Sequence, residues 1–454
     1  MISIAIQLSV MPYFTCFKNH CMKSIFLTLF LFSTLTVFCQ ADKNSANMNA
    51  MVDKLEPKLI DWRHDIHQNP ELGNNEVRTA ALVAKHLQSL GIEVKTGVAK
   101  TGVVGILKGG KPGPVIALRA DMDALPVTER NSLPYASKVK TNFNGQEVGV
   151  MHACGHDTHV AILMGVAELL SSMKKDLKGT VVFIFQPAEE GAPKGEEGGA
   201  ELMVKEGVLN NPKVDVIFGL HINSQTEVGQ IGYRPGGTLA GVNDMLIVVN
   251  GRSAHGAYPW SSIDPVLVSA QIITNLQTIV SRNVNVTENA AVVTVGNING
   301  GVRSNIIPEK VEMTGTIRTL STADEKMVIE RIKQIAVKTG EAAGAKVDVT
   351  IPYTSHYPVT YNDPALTEKM LPSLQKTVGA SNVFLKPAVT GAEDFAFFEQ
   401  KVPGLFFFLG GMPKGNNPLT APSHHTPDFI VSDSALVIGV KALANLTLDY
   451  MQVK

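Results

Sequence analysis

The segment MHACGHDTH at 151–159 sets a thiol, Cys154, two residues from an imidazole, His156, with further histidines at 152 and 159. A thiolate and a neutral imidazole are the ligands that Zn2+, Mn2+ and similar ions take. Gly155 between them lets the backbone bend so that both side chains reach one centre. By itself the run also fits a small buried thiol beside a surface histidine. Four further clusters bear on the choice. ALRADMDALP at 117–126 ends a strand in Asp121 and Asp123, which face the same way if the strand continues. FQPAEEG at 185–191 offers adjacent carboxylates, Glu189 and Glu190: a solvated turn, or one cation ligand with a base beside it. His221 closes an apolar strand in GLH at 219–221, a place where a lone histidine is usually a satisfied core residue, and PSHHTPDF at 422–429 carries His424 and His425.

These clusters need a scaffold. Residues 52–90 read as helix, and the apolar runs 103–107 and 115–118 around GGKPGP at 109–114 read as a hairpin. Helices at 157–171 and 197–206 alternate with buried strands at 180–185 and 215–220, which implies an α/β sheet covered on both faces. The candidate residues fall just past strand ends, where open α/β sheets place ligands. Punctuation thickens at 229–237, and the order then becomes β-α-β-β-α-β through 352: one sheet with two helices on one face. The α/β pattern resumes with a helix at 363–378, strands near 382–385 and 405–409, and a closing helix at 432–451. The expected division is therefore a catalytic domain of 50–235 and 353–454 with an inserted domain at 236–352.

At 454 residues the chain is long for one core, given domains of about 100 to 200 residues. With 44% hydrophobic and 18% charged residues and a net charge of −1, nothing favours nucleic acid or an anionic membrane as partner; a small molecule is expected. The uncharged run IFLTLFLFSTLTVF at 25–38, preceded by Lys18 and Lys23, reads as a signal peptide cleaved near Gln40. It is short against the roughly 20 residues of a bilayer span, so the mature protein is expected to have no stable span and to be exported, periplasmic or extracellular. Met22-Lys23-Ser24 makes a conventional signal start, so 1–21 reads as an over-extended one, and bulky Phe38 argues against a lipid anchor on Cys39. Of four cysteines, Cys16, Cys21 and Cys39 lie in or before this segment; Cys154 is then the one thiol of the mature protein, unable to form an intrachain disulfide.

Taken together, RHDIHQNPEL at 63–72, ALRADMDALPVTE from Ala117, MHACGHDTH, FQPAEEG, GLH, SAHGAYP at 253–259, SNIIP at 304–308, GTIR at 315–318 and GAEDF at 391–395 resemble the amidohydrolase branch of the two-metal aminoacylase and glutamate carboxypeptidase family. That branch holds N-acyl-amino-acid, hippurate and auxin-conjugate hydrolases. The resemblance spans about 62–450. It implies a mixed-sheet zinc-peptidase-like catalytic domain whose inserted ferredoxin-like domain serves as lid and dimerisation module.

The same resemblance implies two divalent ions, Zn2+ or Mn2+, on Cys154, His156, Glu190, His221 and His425, with the bridging ligand left open between Cys154, His156 and Asp121. His425 is preferred to His424 because it fills the family's His-x-Pro-x-Phe block. Glu189 matches the general base of a metal-activated water, and His255 an oxyanion-stabilising histidine that commonly serves the other subunit of a dimer. Asn305 and Arg318 are candidates for the substrate carboxylate. His152 and His159 are candidate supports of the ligands, and His67 and Glu71 structural. The expected reaction is cleavage of an N-acyl amino acid; the alternatives are an exported metallo-dipeptidase or carboxypeptidase and a catalytically silent metal-binding relative. A cysteine hydrolase leaves Glu189 and Glu190 unexplained, and no Gly-x-Ser-x-Gly elbow exists for a serine hydrolase.

Overall fold

The computed structural model describes residues 48–452, so the expected signal segment lies outside the described residues. The chain divides between Lys54 and Leu55, and the unit from Leu55 onward contains both large sheets. Its main sheet has eight strands in the spatial order Glu93–Val98, Gly102–Lys108, Lys178–Gln186, Lys111–Asp121, Val216–Glu227, Gly404–Met412, Ile231–Tyr233 and Val383–Leu385. The middle four run parallel, so their carboxyl ends open on one side.

Strand periodicity divides the core. Val104, Ala117, Val182, Ile184, Ile217, Phe406 and Phe408 point to one face, where they pack with Ala200, Met203, Phe395 and Phe398 from the short helices Gly199–Lys205 and Ala396–Glu399. The opposite face is covered by His156–Ser172 and Ser434–Gln452, which pack on each other and on the central strands. His156–Ser172 is buried along nearly its whole length, as a helix apolar on every side must be.

The expected hairpin at 103–118 does not form. Lys178–Gln186 lies between the two strands, antiparallel to Gly102–Lys108 and parallel to Lys111–Asp121. Gly102–Lys108 instead turns back on Glu93–Val98, through a turn in which Ala99 and Lys100 take positive φ. The glycines at 109 and 110 serve close packing: a Cβ on Gly109 would meet the Leu177 carbonyl oxygen at 2.4 Å. The expected helix at 52–90 is two helices, one ending at residue 68 and the second spanning Val77–Ser89. Between them the Glu71 carboxylate accepts the backbone N–H groups of Arg78 and Thr79, both at 2.8 Å, and so satisfies the free amides of the second helix.

A second, wholly antiparallel sheet orders its strands Ala291–Gly300, Lys310–Thr319, Gly241–Asn250 and Lys346–Thr350, with His356–Tyr357 also on Gly241–Asn250. Helices Pro265–Arg282 and Thr322–Ala342 close a separate core over it from Met245, Ile247, Ile272, Leu276, Val311, Met313, Val328 and Ile332. Asp264 and Ser321 cap these helices, accepting from Val266 N–H at 2.9 Å and Asp324 N–H at 3.3 Å. The chain enters through Gly236–Leu239 and leaves through Thr360–Asn362, which pair antiparallel. Among the described residues no helix is long and apolar enough to cross a membrane.

Candidate metal centre and active site

Asp121 ends its strand and Gln186 ends the neighbouring one; Glu189 and Glu190 come three and four residues later. His221 comes from the next parallel strand, and His156 is the first residue of the helix His156–Ser172. Gly155 before it takes φ +94°, and a Cβ there would lie 2.3 Å from Ile222 Cγ2, so only glycine brings Cys154 and His156 round this corner. The C-terminal loop is tied in by the His425 N–H, which donates to the Ala153 carbonyl at 2.8 Å.

These elements bring Cys154, His156, Glu189, Glu190, His221 and His425 together. Cys154 Sγ lies 3.4 Å from His221 Nε2, and ligand atoms of Cys154, His156 and Glu190 lie within 4.8 Å of one another. His425 Nε2 lies 3.0 Å from Glu190 Oε1. His156 Nε2 stands 3.8 Å from both Asp121 Oδ2 and Glu189 Oε2, deeply buried and with no hydrogen-bond partner among the described residues.

The second nitrogen of each ring sorts ligands from supports, because a nitrogen that accepts or donates elsewhere is withdrawn from the centre. His156 Nδ1 donates to the Asp123 carbonyl at 2.8 Å, and His221 Nδ1 to the Ile222 carbonyl at 2.6 Å, which leaves Nε2 of each ring to face the centre. His159 is spent twice: Nδ1 donates to Asp121 Oδ1 at 2.6 Å, and Nε2 accepts the Ile222 N–H at 2.8 Å. His159 therefore braces the others although it stands in a possible ligand group with Asp121 and His156.

Charge points the same way. Burial opposes a charge on His156, but Asp121 and then Asp123 overcome it and raise its pKa to about 10. Burial, Glu190 and Glu189 hold the Cys154 thiol well above its ordinary value, while burial, Glu393 and Glu190 push Glu189 up. The pocket carries surplus negative charge and calls for cations. A buried unpartnered imidazole nitrogen, a buried thiol and a carboxylate at one place fit divalent ions, and the donors suffice for two.

Behind the base lies a network that joins residues of three motif blocks, a pairing that the motifs themselves did not announce. Arg119, fully buried, pairs with Asp121 at 2.5 Å, Glu393 at 2.9 Å and Asp394 at 3.0 Å and donates to Gln186 Oε1 at 2.8 Å. Glu189, Glu393 and Asp394 bring their oxygens within 4.8 Å of one another. Tyr357, from the second sheet, donates its hydroxyl to the Glu189 carbonyl at 2.9 Å. Nothing local in the sequence marks Tyr357, since its partner lies 168 residues away.

The structure shows no contact between His255, Asn305 or Arg318 and this cluster. His255 is exposed on a two-residue strand paired with Ile306–Ile307, and its contacts are local: Nδ1 accepts the Ala257 N–H at 3.0 Å, and the Tyr258 ring centroid lies 5.3 Å away. Asn305 sits beside it, its carbonyl accepting the Gly256 N–H at 2.9 Å. Arg318 donates to Thr316 and to the Ile317 carbonyl and has no carboxylate partner among the described residues. His67 and Glu71 are structural, His67 lying between Asp157 at 3.0 Å and Glu129 at 3.3 Å.

The family model described as peptidase family M20/M25/M40 matches residues 117–449, which takes in every residue of the cluster. The chain belongs to this family. Among relatives of this M20 chain, thermostable carboxypeptidase 2 of Saccharolobus solfataricus is 40% identical over 400 residues, covering 88% of this chain and 97% of that one. N-acetylcysteine deacetylase of Bacillus subtilis is 38% identical over 404 residues, covering 88% and 99%. Among solved structures, a dinuclear metal-binding peptidase of the M20 family from Bacillus subtilis matches with a TM-score of 0.73 at 34% identity, covering 88% of this chain and all of that one. This M20 protein is accordingly a metal-dependent amidohydrolase with a mixed α/β fold.

Proposed function

We propose that the protein is an exported amidohydrolase that splits N-acyl amino acids into a carboxylic acid and a free amino acid, with Glu189 as general base. The observation that carries this reading is Glu189 itself, a buried carboxylate 3.8 Å from the unpartnered His156 Nε2 and outside the donor pairs formed by the other ligands. A site that only stored metal has no use for it. Two ions on Cys154, His156, Glu190, His221 and His425 would supply a water of lowered pKa and positive charge for the developing oxyanion. Glu189 takes the proton of the attacking water and returns it to the leaving amine, a role suited to a carboxylate whose pKa burial and Glu393 have raised. Tyr357, bonded to the Glu189 carbonyl, keeps that carboxylate's backbone in place.

Cys154, with His221 on one side and Glu190 on the other, would hold the ions together with both. Asp121 is taken up by Arg119 and His159. The unpaired Arg318 guanidinium suits the substrate carboxylate, with Asn305 as a further polar contact. His255, exposed on the segment 236–352 that we take as the inserted domain, is suited to reach the active site of a second copy in a homodimer, where it would steady the oxyanion. A signal sequence in 1–39 would export the enzyme.

The test is release of free amino acid from N-acetyl and N-benzoyl amino acids and from dipeptides, before and after chelation and with Zn2+ or Mn2+ restored. Turnover of an N-acyl amino acid that metal restores, and that Glu189→Gln abolishes with both ions still bound, is the expected result. Turnover of dipeptides alone would make the protein a dipeptidase. Two bound ions with no turnover of any substrate would make it a silent relative.

A further inference from the structure

His424 stands beside Cys154, with Nδ1 3.8 Å from Sγ and its ring centroid 5.2 Å from that of His221. By distance alone it joins Cys154 and His221 as a third ligand. Its other nitrogen decides otherwise. The backbone N–H of Ser224 points at His424 Nε2 at 3.3 Å, and an amide N–H has only a donor to offer. Nε2 therefore accepts, and the ring proton of a neutral imidazole sits on Nδ1. The ring is partly buried, with His221 at 5.2 Å and Phe429 at 4.9 Å between ring centroids. A protonated Nδ1 facing Cys154 cannot ligate.

We infer that His424 is a positioning residue that donates an Nδ1–H···S hydrogen bond to the Cys154 thiolate. This rests on the reading of Cys154 as a metal ligand. A thiolate that would bind a cation still carries lone-pair density, and a directed N–H donor fixes the rotamer of the sulfur and lowers the energy of that density. The arrangement also divides the labour of the adjacent pair: His425 turns to Glu190, through a backbone with φ +64°, and His424 backs the sulfur. Successive residues face opposite ways here because of that left-handed step.

The experiment replaces the native ions with Co2+, whose thiolate-to-metal charge-transfer band in the near ultraviolet reports the sulfur directly, and counts Co2+ per chain. Asn carries its amide nitrogen where histidine has Nδ1, and Gln carries its amide oxygen where histidine has Nε2. His424→Asn is expected to keep the band where wild type has it. His424→Gln and His424→Leu are expected to bind the same number of ions with the band moved to longer wavelength, because the sulfur lone pair has lost its donor. Loss of one Co2+ per chain in His424→Gln would make His424 a ligand and overturn the inference. An unmoved band in His424→Gln at full Co2+ occupancy would make the residue a packing element and overturn it equally. If Cys154→Ala leaves the band unchanged, the ligand reading of Cys154 falls instead. The Gln and Asn variants keep a polar side chain in the pocket, so the comparison survives if the Leu variant does not fold.

Discussion

Asp123 meets the His156 ring twice: its carbonyl oxygen lies 2.8 Å and its Oδ1 3.2 Å from Nδ1. The same side chain turns its other oxygen to the Glu190 backbone N–H at 2.9 Å. One residue thus aims two of the proposed ligands, His156 directly and Glu190 through its main chain. Removing such a support costs metal sites about 10- to 100-fold in affinity. Asp123→Ala is expected to weaken Zn2+ binding by that factor, measured by competition with a chelating dye. Asp123→Asn retains the backbone carbonyl and an acceptor oxygen and should lose less.

How much of this was legible depends on the range of the interactions. Cys154 and His156 stand at a helix start and Glu190 shortly after a strand end, positions that announce themselves in local pattern; His221 does not close its strand as expected, because that strand runs on from Val216 to Glu227. The β-α-β-β-α-β order from Gly241 to Thr350 was readable for the same reason. The strand order was not. That Lys178–Gln186 lies between the strands read as a hairpin depends on pairings about 70 residues apart, which no turn sequence encodes. Tyr357 is likewise invisible locally, since it acquires a role only when the chain returns to Glu189; Glu393 lies in the GAEDF block, but its pairing with Arg119 spans 274 residues and could not be read from that block. His424 and His425 are adjacent, and only the positive φ at His425 separates their directions.

Glycine at 155 is a sharp test of the corner that joins Cys154 to His156. Gly155→Ala places a Cβ 2.3 Å from Ile222 Cγ2 at φ +94°. The left-handed backbone costs about 1 kcal/mol and the overlap about 1–3 kcal/mol more. Because Ile222 also accepts from His221 and donates to His159, the displaced side chain disturbs both rings. The expected outcome is a lower thermal midpoint together with loss of bound metal, read by calorimetry and by metal analysis of the dialysed protein.

Away from the cluster, His67 makes stability depend on pH. Burial opposes its charge, yet Asp157 and Glu129 raise its pKa from 6.5 to about 9. A group raised in the folded state stabilises fully below its unfolded pKa and loses that contribution as pH climbs through the folded one. The His67 contribution is therefore complete below pH 6.5 and gone above about 9, and it amounts to on the order of 3 kcal/mol. Urea unfolding should show wild-type stability falling across that interval. His67→Gln should be less stable at pH 6 and should lack the fall; a parallel fall in the variant would assign the pH dependence to another group.

Arg318 offers the test that separates substrate recognition from metal chemistry. Among the described residues the guanidinium has no carboxylate partner; it donates to Thr316 and the Ile317 carbonyl, and burial lowers its pKa. An unpaired, partly buried arginine is poised for an anion, and a forked pair of hydrogen bonds matches a carboxylate where a lysine ammonium does not. Removing a hydrogen bond to a charged group costs about 1.5–3 kcal/mol, so Arg318→Ala should raise KM for an N-acetyl amino acid by about 10- to 100-fold. The corresponding amino-acid amide, which lacks the carboxylate, should be hydrolysed equally slowly by both proteins. If the variant loses activity on acid and amide in equal proportion, Arg318 serves the small sheet rather than the substrate.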